Sequence, residues 1–356
     1  MPDRIVCVMG VATFLLSFAS LQAWGYLASP QVQGFIPDAR PAGMGRAFTA
    51  VAEGPAGVWW NPGSLGLVHG WWAMPFSALP MSSYSEGSHR FGSYGVCGKI
   101  RRVGVATHFS RLKFERERQA DYTESSMILG CGVDLMELIR REPDPRFQWG
   151  VGASIKRNSI HAPDALNPEW KDLSAWDIDV GTVARIERSL HGLPILPIAA
   201  TRDSFQSSYV AGRFGFMFKN LLDQKIGPGD DPMGQEIRLG LGFETGLIPT
   251  PPFSHLLRAL VTVEVEDSLT EEDLSSNLKY GLEATLVGIV TYRYGEFDDH
   301  HRFWVGTEDG VRVVQRNDRW VTHGVGLRFG GEHLALHFDY AKVYRKHYSL
   351  SVHVVP

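Results

Sequence analysis

The sequence predicts an all-β protein, a single antiparallel β-barrel of about fourteen strands that spans a membrane. Three observations carry that reading. From about residue 66 onward, apolar and polar residues alternate with a period of two. The alternating runs reach roughly ten to thirteen residues. Their number comes out even, as it does in bacterial single-chain barrels.

The alternation is plain in Gly234 to Glu244, where Ile237, Leu239, Leu241 and Phe243 interleave with Glu236, Arg238, Gly240, Gly242 and Glu244. Val261, Val263 and Val265 interleave with Thr262, Glu264 and Glu266. Phe147, Trp149, Val151, Ala153 and Ile155 form another apolar face, and Leu334, Leu336, Phe338 and Tyr340 oppose Ala335, His337 and Asp339. Tyr348, Leu350, Val352 and Val354 make the last apolar row. Alternation of this kind means strands with one apolar and one polar face. A soluble sandwich gives the same signal, with its apolar face inward. Length separates the two cases, since soluble strands cluster near 5–6 residues while a tilted membrane strand needs about 9–11. The polar faces also combine charges with glycines, which suits a water-filled or plugged lumen.

The expected strands are 67–77, 89–98, 101–112, 122–135, 146–158, 174–187, 206–219, 235–246, 256–267, 276–285, 286–296, 319–329, 332–341 and 346–355. Short periplasmic turns and longer outer loops are the rule for such barrels. Lys99-Ile100, the turn near Leu286 and Gly330-Gly331 are tight, and 159–173, 220–234 and 297–318 are long. The connection 188–205 is long on the side expected to be short.

Residues 1–25 read as a signal peptide. Arg4 supplies the basic start, Val6 to Phe18 the apolar run, and Ala23-Trp24-Gly25 an acceptable cleavage site. Cys7 opens the apolar run rather than following it, which argues against a lipoprotein site. Past residue 30 no run of about 18 apolar residues occurs, so no spanning helix is expected there. Cys97 and Cys131 fall on non-adjacent strands and read as packing residues, not a disulfide. With 35 basic and 39 acidic residues, the basic ones scattered, nothing points to nucleic acid as a partner.

Residues 39 to 66 run Ala-Arg-Pro-Ala-Gly-Met-Gly-Arg-Ala-Phe-Thr-Ala-Val-Ala-Glu-Gly-Pro-Ala-Gly-Val-Trp-Trp-Asn-Pro-Gly-Ser-Leu-Gly. This stretch resembles the lead-in segment of FadL-like outer-membrane barrels, and of the PorV/PorQ family most closely. Gly150 to Lys156, Asp177 to Gly181, Lys219 to Leu221, Ile237 to Gly242, Gly324 to Phe329, His337 to Ala341 and His347 to Val352 are similar too, in the same order. Two features depart from the pattern: Trp59-Trp60 is bulky, and the chain ends Val354-Val355-Pro356 where an aromatic residue is usual for recognition by barrel-assembly machinery.

The resemblance implies three parts: a signal peptide over 1–25, a hatch that folds into the lumen over 26–66, and a barrel over 67–356. It implies the outer membrane of a Gram-negative-type bacterium, and outer-membrane lipid as surroundings. It also implies either passage of hydrophobic small molecules such as long-chain fatty acids, or docking of secreted protein cargo for surface attachment. A secreted soluble β-sandwich that binds a ligand is the reading from another class.

The expected hatch or gate residues are Gly43, Gly45, Arg46, Asn61 and Pro62. A plug must bring backbones close, which glycine allows, and Asn61-Pro62 is a turn signal. Arg46 is expected to pair with a lumen carboxylate such as Glu264 or Glu244. Asp177, Asp179, Glu236, Arg238, Glu244, Glu264, Glu283, Arg328 and Asp339 are expected to line the lumen. Trp59, Trp60, Trp71, Trp72, Trp149, Trp170, Trp176 and Trp320 are candidates for interfacial girdles where they fall near strand ends.

Asp298, Asp299, His300 and His301 resemble a metal cluster but lack a third ligand at firm spacing, so a solvated loop is expected instead. Asp177 and Asp179 sit on one strand face and read as lumen acids rather than a catalytic pair. No nucleophile elbow, phosphate loop, dinucleotide fingerprint or CxxC pair appears, so no enzyme chemistry, metal or cofactor is expected.

Overall fold

A computed structural model describes residues 36–82, 87–116, 119–140, 146–161, 172–190, 208–226, 234–249, 255–269, 276–307, 310–331, 333–343 and 346–355. The signal-peptide reading, the start of the expected hatch, Trp170 and most of the 188–205 connection lie outside these residues. Fourteen strands follow one another: β1 (Trp71–Ser82), β2 (Gly87–Ile100), β3 (Val103–Arg116), β4 (Gln119–Asp134), β5 (Phe147–His161), β6 (Leu173–Ser189), β7 (Tyr209–Lys219), β8 (Glu236–Pro249), β9 (His255–Ser268), β10 (Asn277–Leu286), β11 (Val290–Thr307), β12 (Gly310–Gly330), β13 (Leu334–Lys342) and β14 (Lys346–Val354). Each pairs antiparallel with its neighbours in sequence, and β1 pairs with β14 to close the barrel. Closure leaves no sheet edge unpaired.

The faces are inverted relative to a soluble protein. Leu241 and Phe243 on β8 are 57% and 56% exposed, whereas Glu244 and Glu264, facing the lumen, are 1% exposed. A sandwich with an apolar interior is therefore excluded. Cross-strand register resolves the outer wall into rows. Val96, Thr107, Leu129, Ile155 and Ile178 form a nearly all-apolar row across β2–β6. One step toward the rim opposite the termini, the row is Tyr94, Phe109, Met127, Arg157 and Trp176. One step further it is Gly92, Arg111, Ser125, Ser159 and Ser174. At the termini rim, Trp71 and Trp149 point outward, each 41% exposed. From Trp149 to Arg157, β5 spans about nine residues, the length a tilted strand needs to cross a bilayer.

Several expectations need correction. The 297–318 stretch is not a loop: β11 and β12 stay paired from Val290↔Leu327 out to Thr307↔Gly310, so Asp298 to His301 lie in a strand. Pairing continues this far because Phe303, Trp304 and Val305 continue the β-branched and aromatic pattern past the charges. The loop-length alternation is not kept, since β3–β4 and β11–β12 close tightly and α3 (Leu135–Arg140) lengthens the β4–β5 connection. The first strand begins at Trp71, because Pro62–Leu67 forms a 3₁₀ helix instead. Pro75, which has no backbone N–H, falls where β1 shifts register against both β2 and β14. Cys97 is buried and Cys131 exposed on the non-adjacent strands β2 and β4, and both are free.

Candidate functional site

Residues 36–70 run along the inner face of the barrel. Asp38 caps α1 (Ala39–Gly43), accepting from the Arg40 N–H at 3.3 Å. Next come a turn, α2 (Gly57–Trp60), and the 3₁₀ helix with Pro62 at its start. The Gly45 and Arg46 backbones both take positive φ, 59° and 63°, which reverses the chain between α1 and Phe48.

The second half of the segment rests on glycine. Gly104, Gly132, Gly152 and Gly181 lie directly opposite one another across β3, β4, β5 and β6, forming one row around the inner wall. A Cβ at Gly132 would fall 2.8 Å from the Gly66 nitrogen and 3.0 Å from the Pro62 oxygen. One at Gly104 would meet the Leu65 carbonyl, and one at Gly181 the Asn61 side chain. The row is thus a groove cut for backbone. Asn61 is fully buried and locks it: its amide donates to the carbonyls of Thr49 (3.0 Å), Thr182 (2.9 Å) and Phe216 (3.3 Å), while its oxygen accepts from Gly63 N–H at 3.0 Å. A smaller glycine patch on β10–β12 receives the α1 turn, where a Cβ at Gly324 would come 3.2 Å from the Gly43 Cα.

The first half adds charge to glycine contacts of its own, Gly215 and Gly240 lying against Thr49 and Ala50 and Gly281 and Gly295 against Met44 and Gly45. Arg40 grips Glu283 with two hydrogen bonds, 2.7 and 2.9 Å, and also pairs with Glu53. Arg293 reaches the same Glu283 at 2.7 Å and Asp339 at 2.6 Å. Glu264 accepts the backbone N–H groups of Phe48 (2.9 Å) and Thr49 (2.8 Å), and Lys279 approaches it at 3.2 Å. Burial alone would raise the Glu53 carboxyl, but Arg40, helped by Arg258 and Arg213, outweighs it and holds Glu53 below the ordinary 4.5. Burial, with the Asp339 charge, pushes Asp38 above 3.8 despite its hydrogen bond from Ser349.

The remaining sequence candidates fall into separate groups on the wall. Glu236 accepts from Lys219 and Arg238 at 2.8 and 2.7 Å, and Arg238 also pairs with Glu266 at 2.7 Å. Glu244 is held by Arg258 (2.9 Å), Tyr209 (2.5 Å) and Arg213. Asp177 and Asp179 hold the stretch after β7: Asp177 accepts from Leu222 N–H at 2.9 Å and Asp179 from Asn220 N–H at 2.8 Å, with Lys156 paired to Asp179. Arg328 faces a cleft of about 100 Å³ at the termini rim, beside His337 and Trp72. Trp72 stacks on His353 there at 3.9 Å.

One expectation is corrected here. Trp59 and Trp60 are not girdle residues: they are buried inside the barrel, Trp59 beside His108 and Trp60 against Phe48. The arginine of the segment that grips a barrel carboxylate bidentately is Arg40, on Glu283, while Arg46 stands over the Phe297 ring at 4.7 Å. Arg40 and Arg293 were missed because nothing in the sequence says which carboxylate lies opposite. The Asp38-Ala-Arg40 cap ahead of a proline was the available signal for Arg40.

These features define a class: a closed barrel with an apolar outer wall and a polar inner wall lined by its own N-terminal segment. No protein-family model matches the chain, and no curated protein matches it in sequence. Among solved structures, it is similar to a Pseudomonas aeruginosa FadL homologue at 9% identity and TM-score 0.45, covering 90% of this chain and 98% of that one. The Ralstonia pickettii toluene transporter TbuX gives 11% identity, TM-score 0.43, and coverage of 90% and 97%. The P. putida toluene transporter TodX gives 9%, 0.38, and 93% and 97%. The fold rests on the closed strand order itself rather than on these likenesses.

Proposed function

We propose that the chain is an outer-membrane β-barrel of a Gram-negative-type bacterium, exported by its N-terminal signal peptide, that takes up hydrophobic small molecules. The termini rim faces the periplasm and the opposite rim faces outward. The apolar outer rows and the outward Trp71, Trp149 and Trp176 support the membrane setting. The single observation that carries the uptake reading is an apolar arc on the inner wall. Leu79, Phe91 and Leu112 lie opposite one another on β1–β3, and Ile160 and Leu173 continue the arc on β5–β6 past Glu124. The arc begins one inward position beyond Ser93, whose hydroxyl donates to the Pro37 carbonyl at 2.6 Å, so it lies on the outer side of the segment. These side chains are covered in this structure, 6% exposed or less for Leu79, Phe91, Leu112 and Ile160, so a hydrophobic molecule entering from outside would displace that cover to reach the arc before the charged seat.

The test is binding of a fluorescent long-chain fatty acid, and its displacement by toluene, to the folded barrel in detergent. Phe91→Asp and Leu112→Asp are expected to weaken binding about tenfold or more each, because each removes an apolar side chain worth about 1.5–3 kcal/mol when covered. Unchanged affinity in both variants would sink the uptake reading while leaving the barrel intact.

A further inference from the structure

The outer wall carries a feature that passage through the lumen does not use. Going outward across β3–β6, the apolar surface ends within two rows. The first boundary row mixes Phe109 and Met127 with Arg157 and Trp176. The second is Arg111, Ser125, Ser159 and Ser174, one guanidinium followed by three hydroxyls at successive cross-strand positions. Directly opposed residues of neighbouring strands stand roughly 5 Å apart, so this row presents donors over about 15 Å.

Arg111 is exposed and makes no hydrogen bond or ion pair among the described residues. Arg157 is exposed too, lies 5.8 Å over the Trp176 ring, and reaches the Ser174 hydroxyl at 3.5 Å. The aromatic face and the serine pre-orient that guanidinium along the wall. The facing wall at the same rim differs: its outward groups include Asp267, Asp298 and Glu296, the last paired with Arg319. Exposed cations also stand at this rim on β12–β14, as Arg319, Lys342 and Lys346, but among the described residues only β3–β6 combine arginines with a row of hydroxyl donors immediately above the hydrocarbon-facing rows.

We infer that Arg111, Arg157 and the Ser125-Ser159-Ser174 row form a docking site for the phosphorylated headgroup of an outer-leaflet glycolipid of the lipid A type. The site rests on the membrane reading above. Guanidinium and hydroxyl donors match phosphate oxygens, and Arg binds them through paired, charge-assisted hydrogen bonds. The acyl chains then lie over Met127, Leu129 and Ile155, which are 46%, 45% and 43% exposed. This wall keeps an annular lipid in place through its arginine and hydroxyl row.

The test uses the full barrel in mild detergent, titrated with bis-phosphorylated lipid A and with its dephosphorylated form, with retained lipid counted by native mass spectrometry. Wild type should retain the phosphorylated form preferentially. Arg111→Gln/Arg157→Gln should retain it about tenfold less, as expected for losing charge-assisted bonds. Arg188→Gln, which removes an exposed arginine at the other rim of β6, should match wild type. Equal retention in wild type and the double variant, or equal retention of both lipid forms, would overturn the site. If the double variant fails to fold, Arg111→Gln alone decides, with a smaller loss expected. A folded barrel is verified by a heat-dependent gel shift. A wild-type chain that needs no detergent and shows no shift would overturn the membrane reading as well, whereas a shifting barrel without phosphate preference removes only the headgroup site.

Discussion

Both halves of the lumen segment lie on glycines of the wall, but only one adds a network of buried charges. Residues 61–66 sit on a glycine row, backbone against backbone, with one fully buried amide as the lock. Residues 38–53 also rest on glycine, with Gly215 and Gly240 against Thr49 and Ala50 and Gly281 and Gly295 against Met44 and Gly45, but they add ion pairs and charge-assisted hydrogen bonds from Glu283, Glu264, Arg293 and Asp339. The first seat is a matter of shape. It depends on missing side chains and is indifferent to pH and salt. The second can be loosened by protonation or by removing one partner, because a buried charge without its partner is costly.

The largest expected effect breaks the charged seat. Arg40→Ala removes the partner shared by Glu283 and Glu53 while Arg293 stays on Glu283 at 2.7 Å, and should destabilise docking by about 1.5–3 kcal/mol. Limited proteolysis should then cut within 36–56 while 57–67 stays protected, and planar-bilayer conductance should rise. Arg40→Met with Glu283→Gln and Glu53→Gln should recover part of the protection, since Arg40 and both of its carboxylate partners are gone together.

Breaking the glycine seat comes next. Gly132→Val puts methyls where the Gly66 nitrogen and Pro62 carbonyl lie, and overpacking of that kind costs about 1–3 kcal/mol or more. The same proteolysis should now expose 57–67, and a pattern identical to that of Arg40→Ala would erase the distinction between the seats. Asn61→Ala should cost about 1–3 kcal/mol, by leaving the Thr182 and Thr49 carbonyls without their donor.

Acidity sharpens the contrast. Glu53 is held below 4.5, so its contribution to docking is present above 4.5 and is lost as pH falls through its lower bound-state value. Asp38 is raised above 3.8, so its contribution runs the other way, complete below 3.8 and lost as pH rises through its higher value. Protection of 36–56 should therefore depend on pH in the acid range and that of 57–67 should not, as pH-stepped proteolysis would record. The smallest effect is expected for Arg46→Ala, about 0.5–2 kcal/mol for the contact with Phe297, read as a modest change in the same protection.

Much of the fold was legible because a barrel strand announces itself twice, by alternation and by length. The runs around Ile237–Phe243 and Val261–Val265 needed no tertiary information, and the strand count and closure follow from such runs. The β11–β12 extension was misread because Asp298-Asp299-His300-His301 looks like solvated loop, although cross-strand pairing carries on through it. Trp59 and Trp60 were misassigned for a related reason: a tryptophan pair near a strand end suits a girdle, and only the packing of α2 against Phe48 and His108 reveals an interior. The glycine row was invisible for a different reason. Gly104, Gly132, Gly152 and Gly181 are unremarkable singly, and only register places them side by side. Arg40 and Glu283 are likewise 243 residues apart, and no local pattern joins them.

Cys131 tests the central claim most directly. It points outward in the middle of the apolar wall, opposite Val105 and Ala153, while Cys97 is buried on the inner face. Residues 26–356 carrying Cys97→Ala would be spin-labelled at Cys131 while unfolded, refolded into bilayers, and probed by electron paramagnetic resonance for collision with oxygen and with a water-soluble nickel chelate. The account predicts high accessibility to oxygen and very low accessibility to the chelate, as for a side chain in lipid. Ready collision with the chelate would place that wall in water and contradict a membrane-spanning barrel.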